Sequence, residues 1–304
     1  MGGNAPFDPP VLRFFQPVRG QSLAVQLLTQ ALVQQRVAPA YLFQGPAGVG
    51  KALTARCFAQ ALLGSGSHHP DLLWVQPGET TRLQPPQIRI EQVREISEFV
   101  SRTPWQSNRS LVVIESAQCL TEPAQDALLK TLEEPGHGHV LLLADRPDAL
   151  LQTIRSRCQI IPFYPLATDD LLAVLDEQGY RDIRQKPELL ALAGGSPGAA
   201  ITHWQQWQAL PPDLQSCLET TPPTLAQALE LARRLTQTLE PATQLWLTDY
   251  LQMYYWRRYP QPELVQIWEQ TRQALLNYVQ PQLVWEVAWL RLYQWQQQTQ
   301  LTPA

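Results

Sequence analysis

Seven consecutive residues, Gly45-Pro46-Ala47-Gly48-Val49-Gly50-Lys51, constrain the fold of this chain more than any other stretch. A short apolar run at 40–44 precedes them and a helical pattern at 51–63 follows, so the unit reads strand, glycine loop, helix. The spacing matches GxxxxGK. Gly45, Gly48 and Gly50 let backbone N–H groups point into one concavity, the helix N-terminus adds positive partial charge, and Lys51 reaches for the β and γ phosphates of a nucleotide. Further strand-length apolar runs at 72–76, 110–114, 139–144 and 159–163 alternate with helical stretches at 22–36, 91–102 and 123–134. That alternation predicts an α/β domain with a mainly parallel sheet over 1–165.

The hydrolytic chemistry of such a loop looks dismantled. A Ser or Thr after the lysine would bind Mg²⁺, but Ala52 stands there, and Thr54 lies about 300° around the helix from Lys51. A second acidic element is expected at the end of a neighbouring strand, one carboxylate for metal and one to activate water. Here the run 111–114 ends in Glu115-Ser116, and the Ser116 hydroxyl is too weak a base. Glu115 joins the glycines and Lys51 as residues of a degenerate nucleotide site, which leaves open an empty loop or ATP or ADP held without hydrolysis.

With 304 residues, about two domains are expected at roughly 150 residues each. A content of 44% hydrophobic and 16% charged residues supports a sizeable core and excludes general disorder. The net charge of −4 leaves no global basic excess to drive binding to DNA or an anionic membrane. Cys57, Cys119, Cys158 and Cys217 are scattered singly with no CxxC pair, which argues against a zinc site or a disulfide framework and fits a reducing cytoplasm. Neither a leader-like pattern at 1–10 nor any apolar run of about 18 residues points to a membrane.

After Pro165 helical periodicity takes over: three short helices over 166–207, interrupted at Gly194-Gly195-Ser196-Pro197-Gly198, then a last helical domain over 208–304 opened by two proline pairs. That last domain holds Trp246, Trp256, Trp268, Trp285, Trp289 and Trp295, residues that suit either a core or an interface between subunits. Tyr254-Tyr255-Trp256-Arg257-Arg258-Tyr259 also has the make-up of a base-stacking surface. The run 283–293 leaves almost no polar face, which predicts a helix buried on all sides.

Three segments carry a family resemblance: 40–46 (AYLFQGP), 127–135 (ALLKTLEEP) and 153–158 (TIRSRC). Together they resemble the bacterial clamp-loader AAA+ subunits and, within them, the delta-prime group of DNA polymerase III, whose phosphate-loop motifs are degenerate. The resemblance implies an AAA+ domain at 1–165, a helical lid at 166–207 and a helical collar at 208–304. It implies a non-hydrolysing subunit that helps open the sliding clamp and load it on primed DNA beside motor and delta subunits. Arg157 matches the arginine finger that this family points into a neighbour's ATP site, where the planar guanidinium meets developing phosphate charge. On residues alone, Arg157 reads as an ordinary ion-paired surface arginine, and only the resemblance turns it into a finger; Lys130 reads as a solvated helix position paired at i±4 with Asp126 and Glu134. Two departures matter: the segment 64–70 lacks the cysteines of the zinc module many relatives carry, and Gly198 stands where active relatives place an Arg that senses nucleotide. An autonomous motor ATPase and a scaffold with structural nucleotide are the alternatives.

Overall fold

The computed structural model describes residues 10–64, 69–78, 86–134, 136, 138–220, 222–277 and 279–299. Two compact units emerge, the first formed by Met1–Glu177 with Gly195–Gly198, the second by Gln178–Gly194 with Ala199–Ala304.

The first unit runs α1 (Ser22–Val33), β1 (Ala40–Gln44), α2 (Lys51–Leu63), β2 (Leu72–Val75), α3 (Ile90–Ser101), β3 (Ser110–Ile114), α4 (Glu122–Glu133), β4 (Gly138–Ala144), α5 (Gln152–Arg155), β5 (Gln159–Pro162) and α6 (Thr168–Glu177). All five strands are parallel, in the order β2-β3-β4-β1-β5. Every residue of β3 and nearly every residue of β1 and β4 is buried, as a sheet covered by helices requires and as their unbroken apolar runs encode. Because β1 sits between β4 and β5, the chain leaves its C-terminal end at a point where the connections diverge, the place where open parallel sheets form their clefts.

One buried carboxylate organises the far edge of this unit. Asp71, just before β2, accepts the backbone N–H groups of Trp105, Gln106 and Ser107 at 2.6, 2.9 and 2.8 Å and the Ser107 hydroxyl at 3.0 Å. Burial pushes its pKa up, but these donors outweigh it and bring the pKa down to about 2.

The second unit is helical: α7 (Pro187–Ala193), α8 (Pro197–Ala209, which begins in the first unit), α9 (Pro212–Leu218), α10 (Leu225–Thr238), α11 (Pro241–Arg258), α12 (Pro262–Leu276) and α13 (Pro281–Thr299). Pro187, Pro212, Pro241 and Pro262 each occupy the first turn, where a missing N–H costs nothing and a fixed φ favours the helix. Trp268, Trp285 and Trp289 are fully buried at the centre, with ring centroids 5.3 Å apart for Trp268 and Trp289. The Trp285 indole donates to Gln244 Oε1 at 2.9 Å, and Trp246 Nε1 donates to His203 Nδ1 at 3.0 Å.

Two expectations about this unit change. Helix α13 is not buried on all sides: Leu283 and Val287, one turn apart, are 52% and 39% exposed, because α13 packs on α10 and α12 through one face only. Of the six tryptophans, five are buried and only Trp256 is exposed, while Tyr254 and Tyr255 are buried, so the residues read as an interface or a base-stacking surface are mainly core. No helix among the described residues is long and apolar enough to cross a membrane.

Candidate functional site

The glycine loop leaves β1 at Gln44 and enters α2 at Lys51. Gly45 has φ +154°, and a Cβ there would lie 2.2 Å from the Phe163 carbonyl oxygen, so only glycine lets the loop turn beside the end of β5. Gly48 and Gly50 also have positive φ, 73° and 105°. From the other side, Gln21 on the approach to α1 clamps the loop to the sheet: its amide donates to the Val49 and Tyr164 carbonyls at 3.2 and 2.7 Å and accepts from Tyr164 N–H at 3.1 Å.

The segment Gly195–Gly198 closes over the loop. Ser196 Oγ donates to Ala47 O at 2.7 Å, and Gly198 N–H donates to Gly48 O at 3.1 Å. A Cβ on Gly198 would come within 2.8 Å of Gly48 Cα, so the position that the resemblance aligns with a nucleotide-sensing Arg is a close backbone approach with no room for a side chain.

Lys51 is only 6% exposed and points back into its own loop. Its ammonium donates to Gly45 O at 2.7 Å and Pro46 O at 2.6 Å and pairs with Asp145 Oδ1 at 2.7 Å. Asp145 directly follows β4 and is itself held by Gln118, whose amide donates to Oδ2 at 3.2 Å and accepts from Asp145 N–H at 3.2 Å. Glu115, at the end of β3, accepts from Trp74 Nε1 at 2.9 Å and Gln76 Nε2 at 2.8 Å through one oxygen. Ser116 adopts left-handed backbone, φ 54° and ψ 50°. Thr54 Oγ1 donates to Gly50 O at 2.9 Å within the helix and does not line the pocket.

These side chains surround an open pocket of about 370 Å³, lined by the loop together with Ala52, Leu53, Glu115, Ser116, Leu143 and Asp145. The structure therefore brings Gly48, Gly50, Lys51 and Glu115 to one cleft at the strand ends, with Gly45 at the root of the loop. Sequence reasoning missed Asp145, Gln21 and Gln118. Asp145 had a legible signal, since it is the first residue past a predicted buried strand, where site residues of parallel sheets gather.

Arg157 sits elsewhere. It lies in the turn between α5 and β5, 38% exposed, donating through Nη2 to Glu133 Oε1 at 2.6 Å and through Nη1 to Thr153 O at 3.1 Å. Gln159, which opens β5, is level with Tyr41, four residues before Gly45, so Arg157 is separated from its own loop by about 13 Å or more of strand. Its neighbour Arg155 pairs with Asp148 at 2.9 Å. Lys130 forms no ion pair among the described residues, so the i±4 pairing expected of it is absent, and the acidic end of α4 serves Arg157 through Glu133 instead. Cys158, next to Arg157, has its thiol pushed up to about 12 by burial, which makes it a poor nucleophile.

Among the described residues no group of His, Cys, Asp or Glu is arranged to hold a metal ion. Ser65 to His68, in the segment read as lacking a zinc module, lie outside the described residues, as does Pro135 of the 127–135 motif.

Residues 20–167 match a family described as DNA polymerase III, delta subunit, and residues 169–292 match the cyanobacterial DNA polymerase III delta prime, C-terminal domain. The DNA polymerase III subunit delta' of Pseudomonas aeruginosa is 37% identical over 53% of this chain and 54% of its own, and that of Bacillus subtilis 34% over 48% of each. The chain thus spans about half the length of these curated relatives. A DNA polymerase III gamma subunit-related protein of Thermotoga maritima superposes with a TM-score of 0.55 at 14% identity, covering 88% of this chain and 98% of that one, a likeness of fold.

Proposed function

Because the chain belongs to the DNA polymerase III delta-prime family, we propose that it is a non-hydrolysing subunit of the clamp loader that helps open the sliding clamp and place it on primed DNA. In this reading it works in the cytoplasm beside motor and delta subunits and reaches primer–template DNA through the assembly. Residues 1–165 are its nucleotide-binding-type domain, 166–207 its lid and 208–304 the collar that joins it to its partners.

The observation that carries the reading is the state of Lys51, whose three N–H groups are satisfied by two loop carbonyls and the Asp145 carboxylate. A phosphate-loop lysine turned inward, with no metal-binding hydroxyl at Ala52 and no water-activating carboxylate at Ser116, supports a subunit that does not fire its own site. An autonomous motor would need both missing groups. What the chain contributes to turnover in this reading is Arg157, and its exposure at the opposite end of the sheet from its own loop supports a role outside its own site.

The test is single-turnover ATP hydrolysis at the facing site of the reconstituted loader, with the other sites inactivated. Arg157→Ala is expected to leave the complex assembled and slow that site by about 10³- to 10⁵-fold. An unchanged rate contradicts the trans-acting role, and a loss with Arg155→Ala instead moves it to the other arginine.

A further inference from the structure

We propose that Asp145 is a built-in substitute for phosphate, the residue that closes the pocket over Gly48–Lys51 to nucleotides. This goes beyond the function proposed above and stands or falls separately from it.

An ammonium has three N–H donors, and those of Lys51 already meet three oxygens at 2.6 to 2.7 Å. Two of these are carbonyls of the loop backbone, fixed by the turn itself. The third, Asp145 Oδ1, is the only one on a side chain, and it delivers a negative charge where an incoming phosphate oxygen would have to bind. Gln118 bonds both the backbone N–H and the free carboxylate oxygen of Asp145, so the carboxylate is oriented before any ligand arrives. A third of the Asp145 side chain is exposed against 6% for Lys51, so the carboxylate stands on the solvent side of the lysine, where an arriving phosphate would meet it first.

The charge around the pocket points the same way. Its lining carries one cation, Lys51, and two carboxylates, Glu115 and Asp145, a formal sum of −1. A nucleoside diphosphate brings several negative charges of its own, and without a hydroxyl at Ala52 to seat Mg²⁺ only Lys51, already paired with Asp145, and the N-terminus of α2 stand against them. Neutralising position 145 raises the local sum to zero and leaves only a weaker, uncharged acceptor for Lys51, and removing the side chain frees that donor altogether. The ligand class admitted is then a nucleoside di- or triphosphate, bound without dependence on Mg²⁺.

The experiment is a titration of the full chain with fluorescent ADP, with and without Mg²⁺, for the natural protein, Asp145→Asn, Asp145→Ala and Asp145→Asn combined with Lys51→Ala. The Asn variant keeps the shape and removes the charge, so it guards against loss of fold in the Ala variant, and circular dichroism reports folding for each. Asp145→Asn is expected to bind at least about 10-fold more tightly than the natural chain, Asp145→Ala at least as tightly, both with little change on adding Mg²⁺, and the combined variant is expected to lose the gain. A folded Asp145→Asn that binds no better than the natural chain overturns the proposal. So does a gain that survives loss of Lys51. Turnover at the neighbour's site, which reads Arg157, is unaffected by either result.

Discussion

Two cation–carboxylate pairs of nearly equal length stand at opposite ends of the same sheet, Lys51–Asp145 at 2.7 Å and Arg157–Glu133 at 2.6 Å, and they differ in burial. The lysine is 6% exposed and its partner 33%, whereas the arginine and its partner are 38% and 51% exposed. A buried pair is held by the cost of leaving either charge alone in low dielectric, but an exposed pair trades with water at little cost. The same chemistry thus yields a fixed element in one place and an exchangeable one in the other. In the function proposed here, the exchangeable cation is the one handed to a partner.

The comparison can be broken most readily at Lys51. Lys51→Ala leaves two loop carbonyls and the Asp145 carboxylate without their donor and should destabilise the first unit by about 3 kcal/mol in denaturant unfolding. A loss below about 1 kcal/mol would place Lys51–Asp145 in the same class as the exposed pair. Asp71 provides a buried charge held chiefly by neutral donors, with His69 Nδ1 at 3.9 Å, and Asp71→Ala should cost about 2 kcal/mol by stranding the N–H groups of Trp105, Gln106 and Ser107. Its pKa of about 2, below the ordinary 3.8, means its contribution is complete above about pH 4 and fades as the pH falls toward 2. Asp71→Asn should therefore flatten that part of an acid-unfolding curve, and a curve unchanged in shape would show that the carboxylate carries no such weight. At the exposed end, Arg157→Ala should shift stability by no more than about 0.5 kcal/mol, and a larger loss would make the arginine structural.

The parallel sheet and the cleft residues were legible because each rests on local pattern. Unbroken apolar runs flanked by helical periodicity located β1, β3 and β4 to within a residue, and the glycine spacing located the loop. The partner of Lys51 was not legible, because Asp145 meets it across the β4–β1 pairing, and apolar runs reveal strands without revealing their order. The pairing of Arg157 with Glu133 was hidden in the same way, by the fold bringing the end of α4 to the turn before β5. In the helical unit the difficulty was of another kind. Tryptophan suits a core and an interface equally, so composition alone could not separate Trp268, fully buried, from Trp256, 44% exposed. The all-apolar α13 misled for a related reason: apolar content limits how a helix packs but does not supply neighbours for every face, and Leu283 and Val287 are left uncovered.

The two pairs can be set against each other in one assay, by replacing each with apolar residues of similar size in the reconstituted loader. The exchanges are Lys51→Met with Asp145→Leu, and Arg157→Met with Glu133→Leu, measured by single-turnover ATP hydrolysis at the site facing Arg157. The first exchange strands neither charge and loses only the bonds to the Gly45 and Pro46 carbonyls, so it should leave the complex assembled and the rate unchanged. The second should slow that site by about 10³-fold or more while the complex still assembles. A slowed rate from the first exchange, or an undiminished rate from the second, would contradict the assignment of Lys51 to structure and Arg157 to catalysis in a neighbour.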